Sequence, residues 1–240
     1  MGTVDTRTRI RRTNAAIAIL VVVVAVLVVS VLARHHGSGS TGAPDSAARQ
    51  RSGSVDSPAR RNPGDPLALG SPEAPVVLVA YEDFRCPFCA EFATDALPKL
   101  VDRYVEPGVL RVEWRDYPIF GEQSIRAAKA GRAAARQHRF WEFERTVYSH
   151  APEHGHPDLP PEKLVRYAEQ AGVADIERFR ADMRSPEVAT ALRADRSEGV
   201  RVGVSSTPTF LVNGRPIMGA QPFEVFASAV EQAAEQAGPR

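Results

Sequence analysis

One stretch decides how this chain folds: residues 76–89 read VVLVAYEDFRCPFC. The first six residues are an unbroken apolar run after Pro72 and Pro75, which is typical of a β-strand buried on both faces. Cys86 and Cys89 follow this strand and are the only cysteines of the chain. Two cysteines at this spacing rule out a disulfide-rich scaffold and indicate a chemical role for the pair.

The spacing of the two cysteines places both sulfurs on one face of a predicted helix start, close enough to form a disulfide. A bridge across so short a loop removes little entropy from the unfolded chain, so we predict that it is made and broken rather than kept as a staple. Zinc is the alternative for this motif, but it needs four ligands. His150, His154 and His156 lie in a Pro- and Gly-bearing stretch that is better explained as a loop, and we predict no metal.

The two cysteines are predicted to have different roles. Cys86 stands at the helix N-terminus, with Pro87 suited to the first turn, so free N–H groups and the helix dipole favour its thiolate and make it the nucleophile. Cys89 is predicted to be more buried and to resolve a mixed disulfide by attacking Cys86. Because a stabilised thiolate favours the reduced pair, the disulfide form is predicted to take electrons from substrate thiols. Glu82 and Asp83 are candidates for proton transfer to Cys89, or for loop charges that face solvent.

The N-terminal region predicts export and membrane attachment. Residues 15–33 contain no charge and a single hydroxyl, Ser30, and as a helix they would span about 28 Å, close to the thickness of a bilayer core. Four arginines precede this segment and only Arg34 follows closely, which predicts a cytoplasmic tail at 1–14 and an extracytoplasmic remainder. We expect a single-pass signal-anchor in the cell membrane. A cleaved signal peptide is the alternative, because residues 31–33 resemble a cleavage site.

Residues 34–66 differ in composition from the sequence on either side. Five Gly, six Ser and four Pro fill much of this stretch, and it has no aromatic residue, so it is predicted to be a flexible linker. Charge divides the chain at the same point. Residues 1–66 hold nine Arg and four Asp, whereas residues 67–240 hold 21 basic and 25 acidic residues. A mildly acidic main domain argues against a nucleic-acid partner.

Residues 67–240 are long enough for one domain with a core of its own. The hydrophobic pattern predicts, in order, a strand, a helix, a second strand, a block of helices, a β-hairpin and a closing helix. The predicted bounds are 76–81, 86–104 with a kink at Pro98, 109–114, about 120–202, a hairpin of 209–212 and 215–218 around Asn213-Gly214, and 223–237. This order predicts an α/β fold with an inserted helical subdomain.

Three motifs together resemble the DsbA-type thioredoxin-fold disulfide oxidoreductases of bacterial envelopes. They are EDFRCPFC at 82–89, FWE at 140–142 and GVSSTPTFLVNG at 203–214. The likeness covers essentially all of the predicted domain, and it implies a thioredoxin fold in which the helical block is the insertion. It also implies that Pro208 is cis and packs against the cysteine pair, and that Thr207 before it tunes the reduction potential and substrate contact.

One position departs from the resemblance. Strong oxidases of this type carry His between the proline and the second cysteine, where this chain has Phe88. An imidazole there can help to stabilise the thiolate and a phenyl ring cannot. Pro87 and Phe88 are therefore the positions expected to tune the potential of the cysteine pair.

The resemblance implies an enzyme without a cofactor, an extracytoplasmic oxidase that introduces disulfides into unfolded exported proteins with free thiols. Its reoxidant would be a quinone-linked membrane protein, DsbB-like or vitamin K epoxide reductase-like. The alternative is a reductase or isomerase that a membrane electron donor keeps reduced. A third class is a thioredoxin-fold chaperone or adaptor with a residual cysteine pair, against which the retained Cys86, Cys89 and Thr207-Pro208 speak.

Overall fold

The computed structural model describes residues 57–238. The predicted tail at 1–14, the predicted membrane span at 15–33 and most of the predicted linker lie outside the described residues. Within 57–238, every helix is too short or too polar to cross a membrane.

A mixed β-sheet forms the centre of the described part of the chain. Five strands of this part follow the order β1–β3–β2–β4–β5. β2 runs parallel to β3, whereas the pairs β2–β4, β4–β5 and β1–β3 are antiparallel. The strands are β1 Ala68–Leu69, β2 Val76–Glu82, β3 Leu110–Asp116, β4 Thr209–Val212 and β5 Arg215–Met218. This is the thioredoxin arrangement that the resemblance implied, and the hairpin around Asn213-Gly214 lies where the sequence predicted it.

Helices cover both faces of the sheet and one end of it. They are α1 Pro87–Thr94, α2 Ala96–Leu100, a π-helical segment Val101–Val105, α3 Glu122–Ala135, α4 Phe140–Ser149, α5 Pro161–Gln170, α6 Ile176–Asp182, α7 Pro186–Arg201 and α8 Phe223–Ala237. Helices α3 to α7 lie between β3 and β4 in the chain and correspond to the insertion predicted at about 120–202.

The helix predicted over 86–104 is divided at Asp95, three residues before the proline predicted to kink it. Pro98 has no N–H to donate to the carbonyl of Thr94, and its ring crowds that carbonyl, so the regular helix stops at Thr94. The chain resumes as α2 and then as the π-helical segment. The break turns the chain at the far end of α1, away from Cys86.

Strand β2 is buried along its whole length because helices pack on both of its faces. On one face Phe92 of α1 packs against Phe210 and Phe226, with ring centroids 4.3 and 5.1 Å apart. On the other face Tyr81 meets Tyr117 edge to face. Gly199 of α7 allows this close approach, since a Cβ there would lie 2.7 Å from the Tyr117 ring.

Residues 57–66, predicted as the end of the flexible linker, pack on the domain. Arg60 forms salt bridges with Asp195 at 2.7 Å and Glu198 at 2.8 Å. The Arg61 guanidinium donates to the carbonyls of Pro72 and Ala74. The ordered domain therefore includes these residues, because charge pairing holds a segment whose composition has little apolar surface to bury.

A buried ion-pair network lines one face of β3. Glu113 accepts hydrogen bonds from Arg111 at 2.8 Å and from Arg115 at 2.9 Å, and the backbone N–H groups of Arg60 and Arg61 also donate to it. Strand β3 thus has apolar residues on one face and mutually paired charges on the other. Both faces are buried.

Candidate active site

The two cysteines lie where β2 ends and α1 begins. Cys86 is the N-cap residue of α1, with extended backbone dihedral angles, and Pro87 occupies the first helical position. This matches the helix start predicted from the sequence. Both cysteines are free thiols, and Cys86 exposes 2% of its surface and Cys89 none.

The two thiols differ in acidity. The pKa of Cys86 is lowered to about 6, chiefly by a hydrogen bond from the Cys89 thiol, which outweighs the effect of burial. The Thr207 side chain and the backbone N–H groups of Phe88 and Cys89 add to this effect. Burial raises the pKa of Cys89 well above its usual value, and hydrogen bonding to Cys86 and the charge of Glu82 raise it further. At neutral pH the reduced pair is therefore a Cys86 thiolate beside a Cys89 thiol.

The loop before β4 completes the site from a distant part of the chain. The Thr207–Pro208 peptide bond is cis, as the resemblance implied. In its protonated form the Cys86 thiol donates to the Thr207 carbonyl oxygen at 3.2 Å. The Thr207 hydroxyl is buried and forms no hydrogen bond with a nitrogen or oxygen atom of the described residues, and the Thr207 side chain lowers the pKa of Cys86.

Phe88 does not pack into the core and is 58% exposed. It supplies only its backbone N–H to the Cys86 sulfur. The ring borders a shallow cleft of about 520 Å³ whose other walls include Tyr148, Pro152 and His154. The exposed ring therefore forms an apolar surface next to the cysteine pair.

The two candidate carboxylates have separate environments. Glu82 exposes 3% of its surface and lies within hydrogen-bonding reach of the Cys89 thiol. Burial raises the pKa of Glu82 well above its usual value, and the charges of Glu144 and Cys86 add to the rise. Glu82 is thus placed to exchange a proton with Cys89.

Asp83 faces the loops instead. Its Oδ1 accepts from the Arg85 N–H at 2.8 Å, and its Oδ2 accepts from the N–H groups of Ile119 at 2.7 Å and Phe120 at 3.3 Å. It joins the loop before Cys86 to the loop after β3. The sequence allowed the alternative that Glu82 and Asp83 are loop charges facing solvent. This alternative is wrong for both residues, because both are buried.

Sequence reasoning missed two residues of α4 that line the site, Glu144 and Tyr148. Tyr148 donates its hydroxyl to the Asp83 carbonyl at 3.2 Å, and Glu144 is 1% exposed. A signal for Glu144 was present: it lies within the apolar stripe of α4 that runs from Phe140 to Tyr148 with helical spacing. A carboxylate on the buried stripe of an amphipathic helix indicates function.

Arg85 and His156 were also missed, and they hold the insertion against the cysteine loop. Arg85 donates to the carbonyls of Pro157 and Phe120, and the His156 ring contacts the Arg85 carbonyl at 2.8 Å. His150 instead contacts the Thr146 carbonyl, on helix α4. Within residues 57–238, no cluster of three or more His, Cys, Asp or Glu side chains is arranged to hold a metal ion.

This arrangement supports thiol–disulfide exchange. A nearly buried thiolate of lowered pKa is placed to attack, a buried thiol one turn away is placed to resolve, and a carboxyl beside that thiol can exchange a proton with it. The residues come from β2, α1, the loop before β4 and the inserted helix α4.

Known proteins resemble the chain over the same region. A family model described as "Thioredoxin" matches residues 62–232. A probable disulfide bond formation protein D of Bacillus anthracis is 29% identical over 150 residues, which cover 61% of this chain and 69% of that protein. Oxidised BdbD of Bacillus subtilis superposes with a TM-score of 0.68 at 22% identity, covering 76% of this chain and 99% of that one, which shows a shared fold.

A further relative is a much longer protein. The Na(+)/H(+) antiporter NhaA 3 of Salinispora tropica is 36% identical over 166 residues, or 68% of this chain. The chain spans only 24% of the antiporter's length. The antiporter's name therefore assigns no activity to this chain.

Proposed function

This chain belongs to the thioredoxin family and has the fold of the DsbA-like disulfide oxidoreductases, and from that premise we propose that it is a thiol:disulfide oxidoreductase that works as an oxidase. It takes two electrons from a pair of thiols on an exported protein and leaves a disulfide in that protein. The likeness to the Bacillus anthracis protein supports the class of reaction. The direction of electron transfer follows from the acidity of Cys86.

The observation that carries the direction is the stabilised Cys86 thiolate. Its pKa is lowered to about 6 by hydrogen bonds from the Cys89 thiol, the Thr207 side chain and backbone N–H groups. These hydrogen bonds exist only in the reduced pair, so they favour reduction of the disulfide. A pair that is favoured in its reduced form oxidises other thiols.

The reaction proceeds in two exchanges. A substrate thiolate attacks Cys86 and breaks the Cys86–Cys89 bond, and Cys89 leaves and takes a proton from Glu82. A second substrate thiolate then attacks its neighbour in the mixed disulfide and expels Cys86 as a thiolate. The substrate has lost two electrons, and the protein holds a Cys86 thiolate and a Cys89 thiol.

We place the reaction outside the cytoplasm, on the membrane. The apolar run at 15–33 and the arginines before it support a single-pass anchor with a cytoplasmic N-terminus. Each turnover leaves two electrons on the cysteine pair, so an oxidant must remove them. We assign this role to a membrane protein linked to the quinone pool. This membrane protein would supply a disulfide, which the Cys86 thiolate attacks.

The equilibrium reduction potential of Cys86 and Cys89 in the full chain, titrated against glutathione, tests the direction. We expect a value near that of a strong oxidant, about −120 mV, despite Phe88. A value near about −270 mV, as in thioredoxin, would make the protein a reductase and overturn the oxidase proposal.

A further inference from the structure

We propose that Glu144 is the second member of a proton-holding carboxyl pair with Glu82, a pair that supplies the proton when Cys89 leaves the disulfide and takes it back when Cys89 attacks. This inference rests on the proposed function, because it assigns the proton path of the same reaction. Glu82 contacts the reacting sulfur. Glu144 acts through Glu82 and is a positioning residue.

Both carboxyl groups are sealed from solvent, and three of their four oxygens lack a hydrogen-bond partner among the described residues. Glu82 exposes 3% of its surface and Glu144 exposes 1%. Among the described residues, neither oxygen of Glu144 has a hydrogen-bond partner, and Oε2 of Glu82 has none. An ionised carboxylate in such a place loses its hydration without compensation, so the site favours carboxyl groups that hold protons.

A hydrogen bond one turn from Glu144 holds α4 against the end of β2. Tyr148 is four residues after Glu144 and therefore lies on the same helix face. Its hydroxyl donates to the carbonyl of Asp83, the residue next to Glu82, at 3.2 Å. The charge of Glu144 acts on Glu82, and the charges of both act on Tyr148. The inserted helix thus brings the second carboxyl to the first.

The charges around the pair decide which member holds the proton. Burial raises the pKa of Glu144 to about 8, opposed by the exposed Arg145. Burial also raises the pKa of Glu82, and the charges of Glu144 and Cys86 add to that rise. Arg145 favours the ionised form of Glu144, whereas the Cys86 charge disfavours the ionised form of Glu82, so when the pair loses one proton the negative charge rests on Glu144 and the remaining proton on Glu82. The surrounding groups are Asp83 after β2, Cys86 and Cys89 at α1, and Arg145 and Tyr148 on α4.

The proton and charge balance in the opening step. A substrate thiolate forms a bond to the Cys86 sulfur, the Cys86–Cys89 bond breaks, and Cys89 takes the Glu82 proton. The proton of Glu144 then passes to Glu82, and the negative charge that arrived on the substrate thiolate ends on Glu144. In the reverse step Cys89 returns its proton to the pair as it attacks Cys86.

The test is the pH dependence of disulfide opening by glutathione in the oxidised full chain, with rates corrected for the thiolate fraction of glutathione. In the wild-type protein the corrected rate should fall at a pH set by Glu82. Glu144→Gln removes the negative charge that keeps the proton on Glu82. We expect its midpoint to move to lower pH by about one unit, a tenfold loss of rate on the sloping part of the profile.

Three further variants bracket the result. Glu82→Gln should lose the titration, and Glu144→Asp should restore most of the wild-type midpoint. Glu142→Gln is the matched control, because Glu142 lies on the same helix but pairs with Arg139 at the surface. Its profile should overlay that of the wild type.

The failures can be told apart. If the wild-type disulfide exchanges with glutathione but Glu144→Gln titrates like the wild type, the carboxyl pair is wrong and the oxidoreductase remains. If the wild-type chain does not exchange at all, the proposed function falls and the pair falls with it.

An infrared measurement keeps the inference testable if Glu144→Gln does not fold. The wild-type spectrum should contain a carbonyl-stretching band of a buried, protonated carboxyl that disappears with a midpoint near pH 8. Glu142→Gln should retain this band. A spectrum with no such band between pH 6 and 9 would overturn the proposal.

Discussion

Buried carboxylates occur in two regions of this domain, and the two regions treat them in opposite ways. On β3, burial alone would raise the pKa of Glu113, but hydrogen bonds from Arg111, Arg115 and the Arg60 backbone lower it to about 2. Beside the cysteines, Glu144 is equally buried and has no hydrogen-bond partner among the described residues, so its pKa rises to about 8.

The difference shows that burial by itself does not mark a reactive carboxylate. Both regions remove water from glutamate side chains, yet one supplies two guanidinium groups and the other supplies a thiol and a second carboxyl. The first region fixes a charge and holds the fold together. The second leaves a proton available at neutral pH.

The largest expected effect is loss of exchange in Cys86→Ser, because the attacking sulfur is removed. Turnover of a dithiol peptide by the full chain should fall to background. Cys89→Ser should instead accumulate mixed disulfides with substrate, visible on non-reducing gels, since the resolving thiol is missing. Full activity in Cys86→Ser would place the reactive centre elsewhere.

A change in the ion-pair network around Glu113 on β3 should alter the stability of the fold rather than the rate of disulfide exchange. Glu113→Ala leaves Arg111 buried without its counter-charge and removes one of the two carboxylates paired with Arg115, so it should lower the free energy of unfolding by about 3–5 kcal/mol. Urea denaturation measures this change. Glu144→Gln is the comparison, and it should leave stability unchanged or slightly higher, because it removes no hydrogen bond seen among the described residues. Equal destabilisation by both changes would erase the distinction between the regions.

The reduction potential should depend on pH with a change of slope near pH 6. Below pH 6, reduction takes up two protons, so the potential should fall by about 59 mV for each unit of rising pH. Above pH 6, Cys86 stays ionised and reduction takes up one proton, so the potential should fall by about 30 mV per pH unit. The sign follows from linkage: the lowered pKa of Cys86 stabilises the reduced fold at higher pH, and this contribution is lost as the pH falls through about 6. A single slope from pH 5 to 8 would contradict the lowered pKa.

Asp83→Asn distinguishes the role of Asp83 from that of its neighbour Glu82. Both oxygens of Asp83 accept from backbone N–H groups, and the NH2 group of asparagine cannot accept, so at least one N–H group loses its partner and stability should fall by about 1–2 kcal/mol. The pH profile of disulfide opening should keep its midpoint, because the proton is carried by Glu82. Thermal unfolding and the glutathione assay give the two readouts. A shifted midpoint with unchanged stability would return Asp83 to the proton path.

The smallest effect is expected from Phe88→His. Phe88 donates only its backbone N–H to Cys86, and its ring is exposed, so replacing the side chain should not change the fold. A protonated imidazole near the sulfur should lower the pKa of Cys86 further and make the potential less negative. Ultraviolet absorption of the thiolate against pH measures the pKa, with Phe88→Leu as the control. An unchanged pKa would show that this position does not reach the sulfur.

Much of the fold followed from local pattern. The apolar run from Val76, the Asn213-Gly214 turn and the closing helix were predicted within one residue of their observed bounds. The short β1 was not predicted, because two residues carry no periodicity. Residues 57–66 were assigned to the linker since their composition cannot show that Arg60 meets Asp195 and Glu198 across the chain.

The sequence by itself determined the reactive pair and its chemistry, because two cysteines three positions apart at a helix start carry their own geometry. Tertiary structure decided what surrounds them. Thr207 lies 121 residues from Cys86 in the chain and contacts its sulfur. The charge of Glu144 acts on Glu82 because the inserted helix α4 lies against the loop that follows β2. Local spacing can place a nucleophile, whereas the pKa of a buried group depends on neighbours that only folding brings to it.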